Sequence, residues 1–149
     1  MRREDRQVSP GRAREILVEA DHGVLSLCTN DVPYGVPLNF CVLGDNLYVH
    51  CALEGRKLDM LAQNPRVSFC VVGEARILRE EFSTAYESAI VEGVAEVVDG
   101  EEKQAGLVGL IQKYSPEFYD EGLEYIRSLT HETKVVVVRI ASITGKSRK

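Results

Sequence analysis

Tryptophan is absent from the 149 residues, histidine occurs three times, and the four cysteines form no CxxC pair. Each shortage removes a class of function. Three scattered histidines with no HxxxH spacing offer no metal site. Cys28, Cys41, Cys51 and Cys70 are far apart and mostly sit in apolar, strand-like runs, which suits reduced thiols better than a disulfide framework. No apolar run approaches the roughly 20 residues of a membrane span, and the opening "MRREDRQ" lacks the apolar stretch of a signal peptide. Basic residues number 18 against 23 acidic, a formal charge of -5, and nowhere gather into a track for a polyanion. These absences predict a cytoplasmic protein with no metal, membrane or nucleic-acid partner.

The common nucleotide and hydrolase fingerprints are missing too. There is no GxGxxG after a strand, no GxxxxGK[ST], no GxSxG, and no pair of carboxylates at useful helical spacing. Any cofactor must be held by another device. There is likewise no repeat, low-complexity tract or linker, and the length suits one domain, read here as residues 1–149.

What is present is an ordinary globular composition, 44% hydrophobic and 28% charged. Ser9 and Pro10 read as an N-cap and first helical position, with Ala13, Ile16, Leu17 and Ala20 on one face. "VLSLCT", "YGVPLNFCVL" and "LYVHCA" read as three strands joined by links too short for anything but antiparallel pairing. A helix from near Gly55, a strand "RVSFCVV" and a long strand "TAYESAIVEGVAEVVD" follow; Gly93 inside the last marks a bend or bulge. Asp99 and Glu102 have capping-box spacing ahead of a helix with Leu107, Leu110, Ile111 and Tyr114 on one face. A second helix opens at Ser115 and Pro116, with Tyr119, Leu123, Ile126 and Leu129 as its stripe. The strand "KVVVVRIASI" then precedes a polar tail, "TGKSRK". This is an α+β pattern, mainly antiparallel, with about six strands curling toward a small barrel and helices around them.

The chemically informative stretch is "YVHCALEGRKLDML", a strand that runs into a helix. Arg56 and Lys57 fall in the first helical turn, where backbone N–H groups lack partners and the macrodipole is already positive. Two cations there are mildly unfavourable by themselves, and an anion reverses the sign of every term. Gly55 lets a ligand approach the backbone closely. A phosphate fits the arginine fork, the lysine point charge and the free amides together; a solvated basic pair on a turn is the other reading. His50, five residues before Gly55, is read either as a structural hydrogen-bonding group or as a group facing the rest of a ligand whose phosphate sits at the helix.

"EGRKLDMLAQNPRVSF" resembles the corresponding segment of the pyridoxamine 5'-phosphate oxidase-like proteins. "GVPLNFCVLGDNLYVHCALEGRKLD", with "ADHGVLSL" before it and "RIASITGK" after it, resembles the nitroimidazole-reductase branch of that superfamily over about residues 16–146. The resemblance implies a six-stranded split β-barrel with flanking helices that binds flavin mononucleotide (FMN) and forms a homodimer. It implies Arg56 and Lys57 as the phosphate pair, Val36, Pro37, Leu38 and Asn39 as the strand along the flavin, His50 and Cys51 as contacts from the next strand, and Ser88 on the long strand. His50 is then the candidate proton donor to a substrate oxygen, and Arg139 or Lys146 is either a partner of the reduced flavin or a surface charge.

The oxidase's C-terminal substrate residues and its tryptophan have no match here. The implied activity is therefore reduction of a small electrophile, such as a nitroaromatic, with NADH, NADPH or another donor supplying electrons. An electron-transfer flavoprotein, a pyridoxamine-phosphate-oxidase-like enzyme and a barrel for another phosphate-bearing ligand are the alternatives.

Overall fold

The computed structural model describes residues 2–149, and Met1 lies outside the described residues. Helix α1 (Pro10–Glu19) starts where Ser9 Oγ accepts the Arg12 amide at 3.2 Å, and it buries Ala13, Ile16 and Leu17. Strands β1 (Gly23–Thr29) and β2 (Val32–Leu38) form a hairpin through Asn30 and Asp31. Both turn residues have positive φ, 50° and 61°, the requirement of a two-residue turn that matches the strand twist.

The segment expected as one strand, "YGVPLNFCVL", is two. β2 stops at Leu38, and β3 (Cys41–Leu43) restarts to pair with β4 (Asn46–Cys51). The break lies at Phe40, which is fully buried and packs edge-on against Phe69 at 4.8 Å between ring centroids. Its amide donates to the Tyr114 hydroxyl at 3.0 Å, and that hydroxyl donates to the Asp21 carbonyl at 2.5 Å. A buried backbone group needs a partner, and here a tyrosine replaces the ladder.

Helix α2 (Arg56–Gln63) leads to the long strands β5 (Arg66–Leu78) and β6 (Ser83–Val98). Helices α3 (Gly100–Tyr114) and α4 (Tyr119–Leu129) precede β7 (Lys134–Arg148). β7 takes in the residues expected as a polar tail. Their side chains carry no apolar signal, and pairing with β6 holds them, Ser147 opposite Glu87 and Arg148 opposite Tyr86. Because the expected second strand is split in two, the sheet among the described residues has seven strands rather than six, in the order β2-β1-β5-β6-β7-β4-β3, with every pairing antiparallel.

One hydrophobic cluster draws on all seven strands together with α1 and α2, so the sheet curls around it. The end strands β2 and β3 are not bonded to each other, which leaves the barrel split. A second cluster lies on the opposite face of β4 and β7 beneath α3 and α4. The run Val135–Val138 is fully buried because alternate valines serve the two clusters: Val136 and Val138 face inward, Val135 and Val137 face the helices. Gly93 sits at a register shift between β6 and β7, as its place in the strand suggested.

The Asp99–Glu102 capping box does not form. Asp99 makes no side-chain cap. Glu102 instead accepts from Tyr48 Oη at 2.9 Å and from Arg139 Nη2 at 3.1 Å, joining α3 to β4 and β7. Its carboxyl is held below the ordinary glutamate value, first by Arg139 and then by Tyr48. A lowered folded-state value means that this contribution to stability is present above the unfolded value and is lost as pH falls through the lowered one. Thermal melts from about pH 6 down to about pH 3 should therefore fall more steeply for the wild type than for Glu102→Gln, which has no such proton to take up. Parallel curves would show that the contact contributes nothing to folding.

Candidate functional site at the barrel split

Helix α2 follows β4 and packs on β1, so it spans the split between the two halves of the sheet. Its N-terminus is built by Gly55, whose φ of 142° an L side chain rarely adopts and beside which an added carbon would meet nothing within 4 Å. The Gly55 carbonyl takes the amides of Leu58 and Asp59 at 3.0 and 3.2 Å, and no side chain caps the helix. The amides of Arg56 and Lys57 are left open in consequence. Among the described residues no carboxylate forms an ion pair with either cation, although Arg3, Arg12, Arg14, Arg127, Arg139 and Arg148 all have acidic partners. An exposed cradle of two unneutralised cations, free amides and an open glycine fits a phosphate group.

Two further groups converge there. The Arg56 guanidinium lies over the Tyr34 ring of β2, 4.3 Å from its centroid. Cys51, at the end of β4, is half-buried; burial raises its thiol pKa, and the nearby charges of Lys57 and Lys134 offset part of the rise. A raised value keeps this thiol protonated and a poor nucleophile.

Strand alternation separates the other expected residues. Val36 and Leu38 pack on the inner core, while Pro37 and Asn39 are exposed. Cys51 faces the inner core and His50 the other side of β4. There His50 lines a groove of about 310 Å³ with Leu107, Leu110 and Ile111 of α3 and Tyr125 and Leu129 of α4. Ser88 pairs across to Val72 and Lys146. Its strand presents Ile90 and Val94 outward, exposed like Val24 of β1 and Val72 of β5. Arg139 is committed to Glu96 and Glu102, which neutralises it, whereas Lys146 forms no ion pair among the described residues. Tyr34 and the apolar groove around His50 carried no signal in the sequence, because both arise from packing between distant segments.

Residues 9–147 match the family model described as pyridoxamine 5'-phosphate oxidase, and the chain belongs to that family. A search of curated proteins returns no match. Among solved structures, a proposed 5-nitroimidazole antibiotic resistance protein from Bacteroides thetaiotaomicron is 26% identical with a TM-score of 0.76, over 94% of this chain and 85% of that one. An FAD- and heme-binding protein from Mycobacterium smegmatis superposes with a TM-score of 0.84 at 22% identity, over 97% and 74% of the two chains. An FAD-binding protein from Mesorhizobium loti gives 0.70 at 19%, over 97% and 98%. The fold is thus one shared with flavin-binding proteins. No helix of the described residues is long and apolar enough to cross a membrane.

Proposed function

We propose that this protein is an FMN-dependent reductase of small electrophilic substrates, with nitroaromatics as the leading class. The observation that carries the reading is the pair Arg56 and Lys57 at the uncapped start of α2, free of carboxylate partners among the described residues. Two cations and one helix terminus match a single terminal phosphate, which favours FMN over a diphosphate flavin. Val36, Pro37, Leu38 and Asn39 would run along the cofactor, with Cys51 and Ser88 as further contacts. The bare outward face of β1, β5 and β6, with Val24, Val72, Ile90 and Val94 exposed, supports a homodimer.

Bound FMN would carry electrons from NADH, NADPH or another donor to the substrate. The chain's own part is to hold that cofactor and to manage protons. Converting a nitro group to a nitroso group takes up two electrons and two protons and releases one water. His50, on the face of β4 opposite Cys51 and exposed at the mouth of an apolar groove beneath α3 and α4, would donate one of those protons to a substrate oxygen seated in that groove and recover it from solvent.

The purified protein is expected to be yellow and dimeric, and to release FMN identifiable by mass. A preparation that stays colourless after incubation with excess FMN would overturn the cofactor assignment. With a nitroaromatic substrate, His50→Ala should lower turnover by about a hundredfold at unchanged flavin content. An unchanged rate would remove His50 from the chemistry, and absence of turnover in a yellow wild type would favour an electron-transfer role.

A further inference from the structure

We infer that Tyr34 is a positioning residue for the cofactor phosphate, acting through Arg56; the inference rests on the flavin reading above. Arg56 begins α2 and is exposed, so an unrestrained arginine there would sample many rotamers. Its guanidinium instead lies 4.3 Å from the centroid of the Tyr34 ring. Tyr34 is itself partly buried against the main core and held in register opposite Leu27 in the β1–β2 hairpin. A floppy cation is thereby tied to a rigid element across the barrel split.

The geometry suits an anion. A cation over a ring face occupies no acceptor, and among the described residues the Arg56 guanidinium donates no hydrogen bond, so its N–H groups stay available for a phosphate to accept a bidentate pair. A carboxylate partner would have occupied those N–H groups and cancelled the charge; an aromatic ring does neither. Tyr34 also shares β2 with Val36, Pro37 and Leu38, so one strand would set the distance between the phosphate cation and the strand expected along the flavin.

The test compares FMN with riboflavin, which has the same ring and ribityl chain and no phosphate. Tyr34→Leu should weaken FMN binding about fivefold, the scale of one surface cation–π contact plus part of a side-chain ordering cost, and should leave riboflavin binding unchanged. Tyr34→Phe should restore FMN affinity, because the ring rather than the hydroxyl carries the effect. In an Arg56→Ala background, Tyr34→Leu should have no further effect on FMN. An equal loss for both ligands would show that Tyr34 merely supports the barrel, and no loss for either would show that the stacking does not matter. Both results overturn the inference while the flavin reading stands, provided that wild type binds FMN; if wild type binds neither ligand, it is the flavin reading that falls.

Discussion

Replacing Arg56 and Lys57 together by alanine is expected to weaken FMN binding by two to four powers of ten. Each cation is credited with charge-assisted hydrogen bonds of about 1.5 to 3 kcal/mol, and about 1.4 kcal/mol corresponds to a factor of ten. The loss should be specific to the phosphate, since riboflavin offers the pair nothing to hold. Folding should hardly change, because Arg56 is exposed, Lys57 is only half-buried, and among the described residues neither has an acidic partner to be orphaned. Removing cations from a helix N-terminus even relieves a mild repulsion, so the melting temperature should stay level or rise slightly. Isothermal titration of the double variant decides the matter: wild-type affinity for FMN would leave the pair as a solvated patch and remove the central support for a flavin at this site.

Gly93→Ala is expected to destabilise the fold by about 3 kcal/mol, lowering the melting temperature by roughly 6 to 12 °C for a chain of this size. The cause is space. A carbon added at Gly93 would lie 2.3 Å from the Arg139 carbonyl oxygen and 2.9 Å from Val138 Cγ1, and neither backbone nor buried valine can move aside cheaply. At this point β6 passes from pairing with Ser142 to pairing with Ile140, leaving Ala141 of β7 unpaired. The bulge brings the two backbones close, and glycine is what that approach requires. Displacing β7 here would also disturb Arg139 and its ties to Glu96 and Glu102. Gly11→Ala on α1 is the control, since its added carbon would meet only Ser9 Oγ at 4.0 Å and alanine favours a helix. Calorimetric unfolding of the two variants should differ clearly; equal melting temperatures would mean that the strands part without cost.

Features governed by a few consecutive residues are legible in the sequence. The Ser9 cap, the strand β1, the short antiparallel link that follows it, and the bulge at Gly93 each depend on backbone preferences within a short window. The cations of α2 were legible for the same reason, because a strand that turns into a helix at a glycine leaves open amides whatever surrounds it. His50 and Cys51 are adjacent in sequence and apart in space. Adjacent strand residues point to opposite faces, so a single side cannot collect both side chains, and the alternation of β4 sends one to the helices and one to the core.

Three other features belong to chain segments far apart in sequence. Phe40 ends β2 because Tyr114 supplies the hydrogen bond that a continuing ladder would have given. Glu102 gives up its cap because Tyr48 and Arg139 offer it stronger partners. Arg56 meets Tyr34 only because the barrel is split and α2 lies across the opening. By itself the sequence determined the antiparallel α+β plan and the cationic helix start, since hydrophobic period, turn residues and helix ends act through neighbours a few residues away. The tertiary structure decided the seventh strand, the face each side chain takes and the partner each charge finds. Those depend on which distant groups packing makes available, and burial makes their pairing obligatory.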